Sequence, residues 1–139
     1  MNYHRFTDAL FQAWNAHDRA TLQEVYRMHA ADPFRHTQLS AAVGDTLDRF
    51  VHAFPDLTMR QTDTIADCGR VAVVFEMKGT HVGPILGFNP SGKAVKLKGI
   101  LIFECRNGKV VNTSGLWDLA SLIRQIGLLA KMPQPMAED

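Results

Sequence analysis

At 139 residues the chain has the length of one domain with one sizeable core. Apolar residues make up 46% and charged residues 21%, which excludes a disordered chain. Fifteen basic against fourteen acidic residues leave a net charge of +1, so nothing favours nucleic acid or an acidic membrane surface as a partner.

Phe6, Leu10, Ala13, Trp14 and His17 recur at three- and four-residue steps and predict a helix with an apolar stripe, with Thr7 or the residues before it as its cap. "NAHD" (Asn15–Asp18) breaks that pattern. A second helix starts at Asp18, a good N-cap, and carries Leu22, Val25 and Tyr26 on one face. Pro33 in "AADPF" is read as its end, with a short strand over Phe34–Thr37. Asp45–Ala53 reads as a third helix, and "FPDL" turns the chain out of it. The period then changes. "LTMRQTDTIA", "RVAVVFEMKGTHVG", "AVKLKGILIFEC" and "KVVNTSGLW" predict four strands separated by "DCG", "NPSG" and "RNG", which suits an antiparallel sheet. A last helix begins at Asp118, and "MPQPMAED" is expected to be a loose tail, leaving residues 1–131 as the domain.

Three helices, a run of strands and a helix give an α+β fold, with helices against one face of a curved antiparallel sheet. Such a sheet wrapped around a helix leaves a cone-shaped cavity suited to a small molecule. No apolar run approaches the ~20 residues of a bilayer span, and "MNYHRFTDAL" lacks a secretory pattern, so a cytoplasmic protein is expected. Cys68 and Cys105 read as free thiols, and no histidine or cysteine spacing predicts a metal site.

An ordered set of motifs, "AWNAHD", "FPDL", "IADCGRVAV", "GTHVGPILGFNPSGKAV", "GILIFE", "NGKVV" and "DLASLIRQIG", resembles SnoaL-like polyketide and ester cyclases, within the nuclear-transport-factor-2-like superfamily. The resemblance runs from about Phe6 to Gly127 and implies a cone-shaped α+β barrel. It implies ring closure by intramolecular aldol condensation, or a related isomerisation, with no metal and no organic cofactor. One carboxylic acid near the start of the last helix would be the acid–base group, by position Asp118. A homodimer formed through the open sheet face is also implied.

Asp118 suits two roles. Aspartate is a favoured N-cap and complements the helix dipole; in an apolar pocket a carboxylate also becomes a stronger base for a proton beside a carbonyl. His81 shares strand parity with Val73, Phe75, Met77 and Gly79, which points it to the concave face. There it would hold a substrate oxygen or satisfy backbone groups of the next loop. Trp14 is core or pocket wall, and His36 is placed inward beside Phe34. Phe50, Phe54, Ile85, Leu86 and Phe88 are expected to line or lid the cavity, together with Leu101 and Trp117. The sequence departs from its relatives at Leu101, where some cyclases carry histidine. In the "ExWxxxD" region Asn112 and Ser114 stand for the acid and the tryptophan, and Trp117 lies next to Asp118 instead. A non-catalytic binding protein for a hydrophobic ligand, and a steroid or terpenoid isomerase or hydrolase, are the alternatives.

Overall fold

The computed structural model describes the backbone of residues 3–31 and 33–127, and the side chains of these except residues 33–38. Three helices come first: α1 (Tyr3–Asn15), α2 (Arg19–His29) and α3 (Pro33–Ala53). Four strands follow, β1 (Thr58–Asp67), β2 (Arg70–Thr80), β3 (Ala94–Arg106) and β4 (Lys109–Trp117), and then α4 (Leu119–Gln125). The strands form one antiparallel sheet in chain order, a meander whose concave face is covered by the helices. The architecture is the expected α+β cone. The predicted tail at 132–139 lies outside the described residues.

The apolar stripe of α1 is buried as the spacing requires: Phe6, Leu10, Ala13 and Trp14 are all core. His17 does not extend it. It lies past the end of the helix with φ 56, and its Nε2 is 2.7 Å from the Leu57 carbonyl oxygen. Asn15 makes a paired contact beside it, its Nδ2 donating to Met59 O at 2.9 Å and its Oδ1 accepting from Met59 N at 2.6 Å. Because β1 is an edge strand, these bonds satisfy main-chain groups that no neighbouring strand reaches. Thr7 is not a cap; it is buried within α1 and its hydroxyl donates to His4 O. Asp18 does cap α2, accepting from Ala20 N and Thr21 N.

One region overturns the expectation. Residues 34–37 are helical, not a strand, and α3 begins at Pro33 rather than at Asp45. Pro33 opens a helix here instead of ending one, since at the first helical position its missing N–H leaves no bond unmade. Gly44 interrupts the apolar pattern of α3, but a Cβ there would stand 2.7 Å from the Arg19 guanidinium carbon, so its absence lets Arg19 reach across. Arg19 then bonds Asp45 at 2.9 Å and Asp48 at 2.6 Å.

On the sheet, Val71, Val73, Phe75 and Met77 of β2 alternate inward with Val95, Leu97 and Phe103 of β3. Each such side chain contributes roughly 1.5–3 kcal/mol on burial. Phe75, Gly99 and Trp117 lie side by side across three strands. Gly99 is needed there: a Cβ would come 2.4 Å from Phe75 Cζ, so the Phe75 ring occupies the room a side chain would take. Both hairpin turns have two residues with positive φ, Cys68–Gly69 and Asn107–Gly108, which fits the tight turns that "DCG" and "RNG" predict.

At the end of β4 the chain stays attached to β3. Asp118 N donates to Lys98 O at 2.9 Å, and the Gln125 side chain bonds Lys96 twice, to its N–H and to its carbonyl, both at 2.7 Å. No described helix is long and apolar enough to cross a membrane.

Candidate functional site

Two cavities open between the helices and the sheet. The inner chamber, about 220 Å³, is walled by Trp14 of α1, Tyr26 of α2, Ala42, Val43 and Thr46 of α3, and Met59, Leu101, Thr113, Gly115 and Trp117 of the sheet. The outer groove, about 600 Å³, runs along Thr46, Asp48, Arg49, Phe50 and His52 of α3, the loop Pro84–Gly87, Trp117 and Leu119. Thr46 and Trp117 belong to both. The Trp117 indole is therefore the partition. It stacks on Phe50 (centroids 4.6 Å apart, planes at 18°), meets Phe75 edge-on at 4.8 Å and lies 6.2 Å from Trp14. Its place follows from strand alternation, which puts Thr113, Gly115 and Trp117 on the concave face and Leu116 on the opposite one.

Asp118 is exposed and caps α4, its Oδ1 accepting from Ser121 N at 3.0 Å. It lines neither cavity. Its neighbours Trp117 and Leu119 both line the outer groove, so Asp118 stands in the chain between two groove-lining residues. Asp48 lines the groove directly but is paired with Arg19.

His81 follows the parity expected of it and is fully buried. Ser91 N donates to its Nδ1 at 3.0 Å, so Nδ1 is the acceptor and the neutral ring carries its proton on Nε2. Ser91 Oγ lies 2.9 Å from the same nitrogen. Nε2 is buried without a hydrogen-bonded partner among the described residues. Burial pushes the imidazole pKa below the ordinary histidine value, against the pull of the Gly83 backbone. With His81 N donating to Lys93 O and Gly92 N donating to His81 O, the residue closes the base of the loop that walls the groove. His81 lines neither cavity; its ring neighbour is Phe54 at 5.7 Å.

The other expected residues divide. Trp14, Leu101 and Trp117 line the inner chamber, and Phe50, Ile85, Leu86 and Trp117 line the groove. Phe54 is fully buried core against Gly79, and Phe88 packs on the core and pairs with Ile85 through its backbone; neither is among the residues lining these two cavities. The side chain of His36 lies outside the described residues, and its backbone is helical, so the strand parity that turned it inward does not apply. Tyr26, Thr46 and Thr113 are wall residues the sequence did not single out. Counting back in twos from Trp117 would have found Thr113. Among the described residues no three His, Cys, Asp or Glu side chains gather as metal ligands.

Solved structures with the same fold include TsrD from Streptomyces laurentii, 21% identical, with 91% of this chain and 95% of that one aligned at a TM-score of 0.74. AclR from Streptomyces galilaeus, provisionally assigned as a hydroxylase, is 22% identical over 94% of this chain and 88% of its own, at 0.73. IdmH from Streptomyces antibioticus, provisionally assigned as a polyketide cyclase, is 18% identical over 91% and 99%, at 0.68. At such identities the likeness is one of fold. No curated protein sequence matches significantly. The family model described as SnoaL-like polyketide cyclase, however, matches residues 4–126, from the first turn of α1 to the end of α4, and the chain belongs to that family.

Proposed function

We propose that this protein is an enzyme acting on a hydrophobic carbonyl compound, removing a proton from the carbon beside the carbonyl so that a ring closes or a double bond moves. The observation that carries this is the position of Asp118 between two groove-lining residues, Trp117 and Leu119. A substrate lying on Phe50, Trp117 and Leu119 would bring its edge to that carboxylate. Oδ1 is engaged by Ser121 N, and Oδ2 has no hydrogen bond among the described residues, which suits it to accept the proton. His81 acts at one remove, by fixing the loop that forms the far wall.

The test separates cap from base. Asparagine caps helices as well as aspartate does, so Asp118→Asn keeps the fold while removing the base. Proton exchange of an aryl methyl ketone in heavy water, followed by NMR, should fall about 10²-fold or more. Equal rates in the two proteins refute the role of Asp118. A binding protein without catalysis is the second reading; it is favoured by the exposure of Asp118 and predicts no exchange above the buffer rate in either protein. The exposed Ile65, Ile100, Ile102 and Leu116 on the convex face support pairing with a second copy, as expected for a homodimer. Leu116→Lys should then shift the sedimenting species to the monomer, and an unchanged mass rejects that face.

A further inference from the structure

The polar atoms of the inner chamber are unevenly satisfied. The Thr46 hydroxyl donates to Ala42 O at 2.9 Å. Thr113 Oγ1 is buried with no hydrogen-bond partner among the described residues. No hydrogen bond to the Tyr26 hydroxyl is found among the described residues either, although the side chain is 4% exposed. The other walls are aromatic or aliphatic, apart from the glycine at 115. A buried hydroxyl without a partner is destabilising by about 1–3 kcal/mol, and such atoms in native proteins call for an explanation.

We infer that the inner chamber behind Trp117 receives the oxygen-bearing end of an aromatic ligand, with the hydroxyls of Thr113 and Tyr26 donating to a carbonyl or enolate oxygen. This rests on the reading of the cavity as a substrate site and names which end of the substrate goes where. Hydroxyl donors select an acceptor on the ligand. Burial pushes the Tyr26 pKa upward, so the phenol keeps its proton across the working pH range. Thr113 loses no hydrogen bond by turning about χ1, so its hydroxyl is free to swing into the chamber. The space is sufficient: an apolar cavity of about 150 Å³ holds benzene, and this one measures about 220 Å³. Gly115 maintains it, because a Cβ there would meet Leu101 Cδ2 at 2.8 Å.

Acetophenone and ethylbenzene, nearly the same shape with and without an acceptor, are the probes. Their dissociation constants are measured by NMR titration, with amide shifts around Thr113 and Tyr26 reporting the chamber and those around Leu86 the groove. Thr113→Val and Tyr26→Phe should each weaken acetophenone about fivefold, the value of one neutral hydrogen bond, and leave ethylbenzene unchanged or tighter. Thr113→Ser should restore acetophenone binding, which guards against a folding defect in the valine variant. Equal factors for the two probes overturn the inference, as do shifts confined to the groove. Because binding is measured without turnover, failure here leaves the Asp118 proposal to its own exchange test. Absence of any binding at millimolar concentration removes both the inference and the cavity as a substrate site.

Discussion

Replacing Trp117 by alanine removes the partition between chamber and groove, and its effect on stability can be worked from the rings it touches. Three aromatic neighbours lie within 6.2 Å, one stacked, one edge-on and one tilted. Each such pair contributes about 0.5–1.5 kcal/mol beyond area burial, or about 3 kcal/mol for three. A fully buried tryptophan cut to alanine loses about 3–5 kcal/mol. Trp117 is only half-buried, with one edge toward the groove, so the lower end, about 3 kcal/mol, is the appropriate expectation. For a chain of this length about 1 kcal/mol moves Tm by roughly 4 °C, which predicts a fall of roughly 12 °C by circular dichroism. Met28→Ala, on α2 and away from the convex sheet face, is the control. Met28 is 57% exposed, and its truncation should change stability by less than about 0.5 kcal/mol. If the two variants melt together, the concave placement of Trp117 is wrong, and the two-chamber description falls with it.

Three further outcomes follow from the same geometry. Gly83→Ala puts a Cβ 2.2 Å from the His52 carbonyl oxygen and displaces the Val82 and Gly83 amides from Ala53 O; a loss of about 3 kcal/mol in urea unfolding is expected from overpacking plus two weakened bonds, and less than about 1 kcal/mol contradicts it. Asn15→Ala strips two partners from the Met59 backbone and should lower stability by about 2 kcal/mol, measured the same way; a neutral result means the edge strand finds water instead. His81 titrates below its unfolded value, so the unfolded chain takes up the proton first, and stability is full above about pH 6.5 and declines as the pH falls below it. His81→Asn keeps an acceptor for Ser91 N without titrating, and the drop in urea midpoint between pH 7 and 5 should shrink; an unchanged drop assigns the pH dependence elsewhere.

Much of this fold is legible in the chain because local signals agree with the packing. Much of β2 and β3 alternates in and out, the tight turns carry glycine where φ is positive, and Asp18 and Asp118 stand where caps are needed. The failures have local causes. Phe34 and Thr37 suit a strand and Pro33 suits a stop, yet Pro33 stands at the first helical position, where it opens α3. His17 kept the three-and-four spacing by coincidence, two residues after the helix had ended. Of the candidate site, the aromatic wall could be read from parity and the family motifs. Parity from Trp117 also places Thr113 on the wall, but its hydroxyl's missing partner could not be read, because that is a property of three-dimensional neighbours and leaves no pattern in sequence.

The pair of hydrogen bonds between the Gln125 side chain and the Lys96 main chain has a mechanical consequence. With the start of α4 held on Lys98 and its end on Lys96, the helix is bracketed at both ends to a single strand. Asp118, the cap between these two anchors, is thus tied to β3 through its own main chain, and in the proposed chemistry the ligand must come to the carboxylate. Exchange of the Lys96 amide with solvent becomes a direct gauge of that anchorage, readable in any variant before its chemistry is assayed.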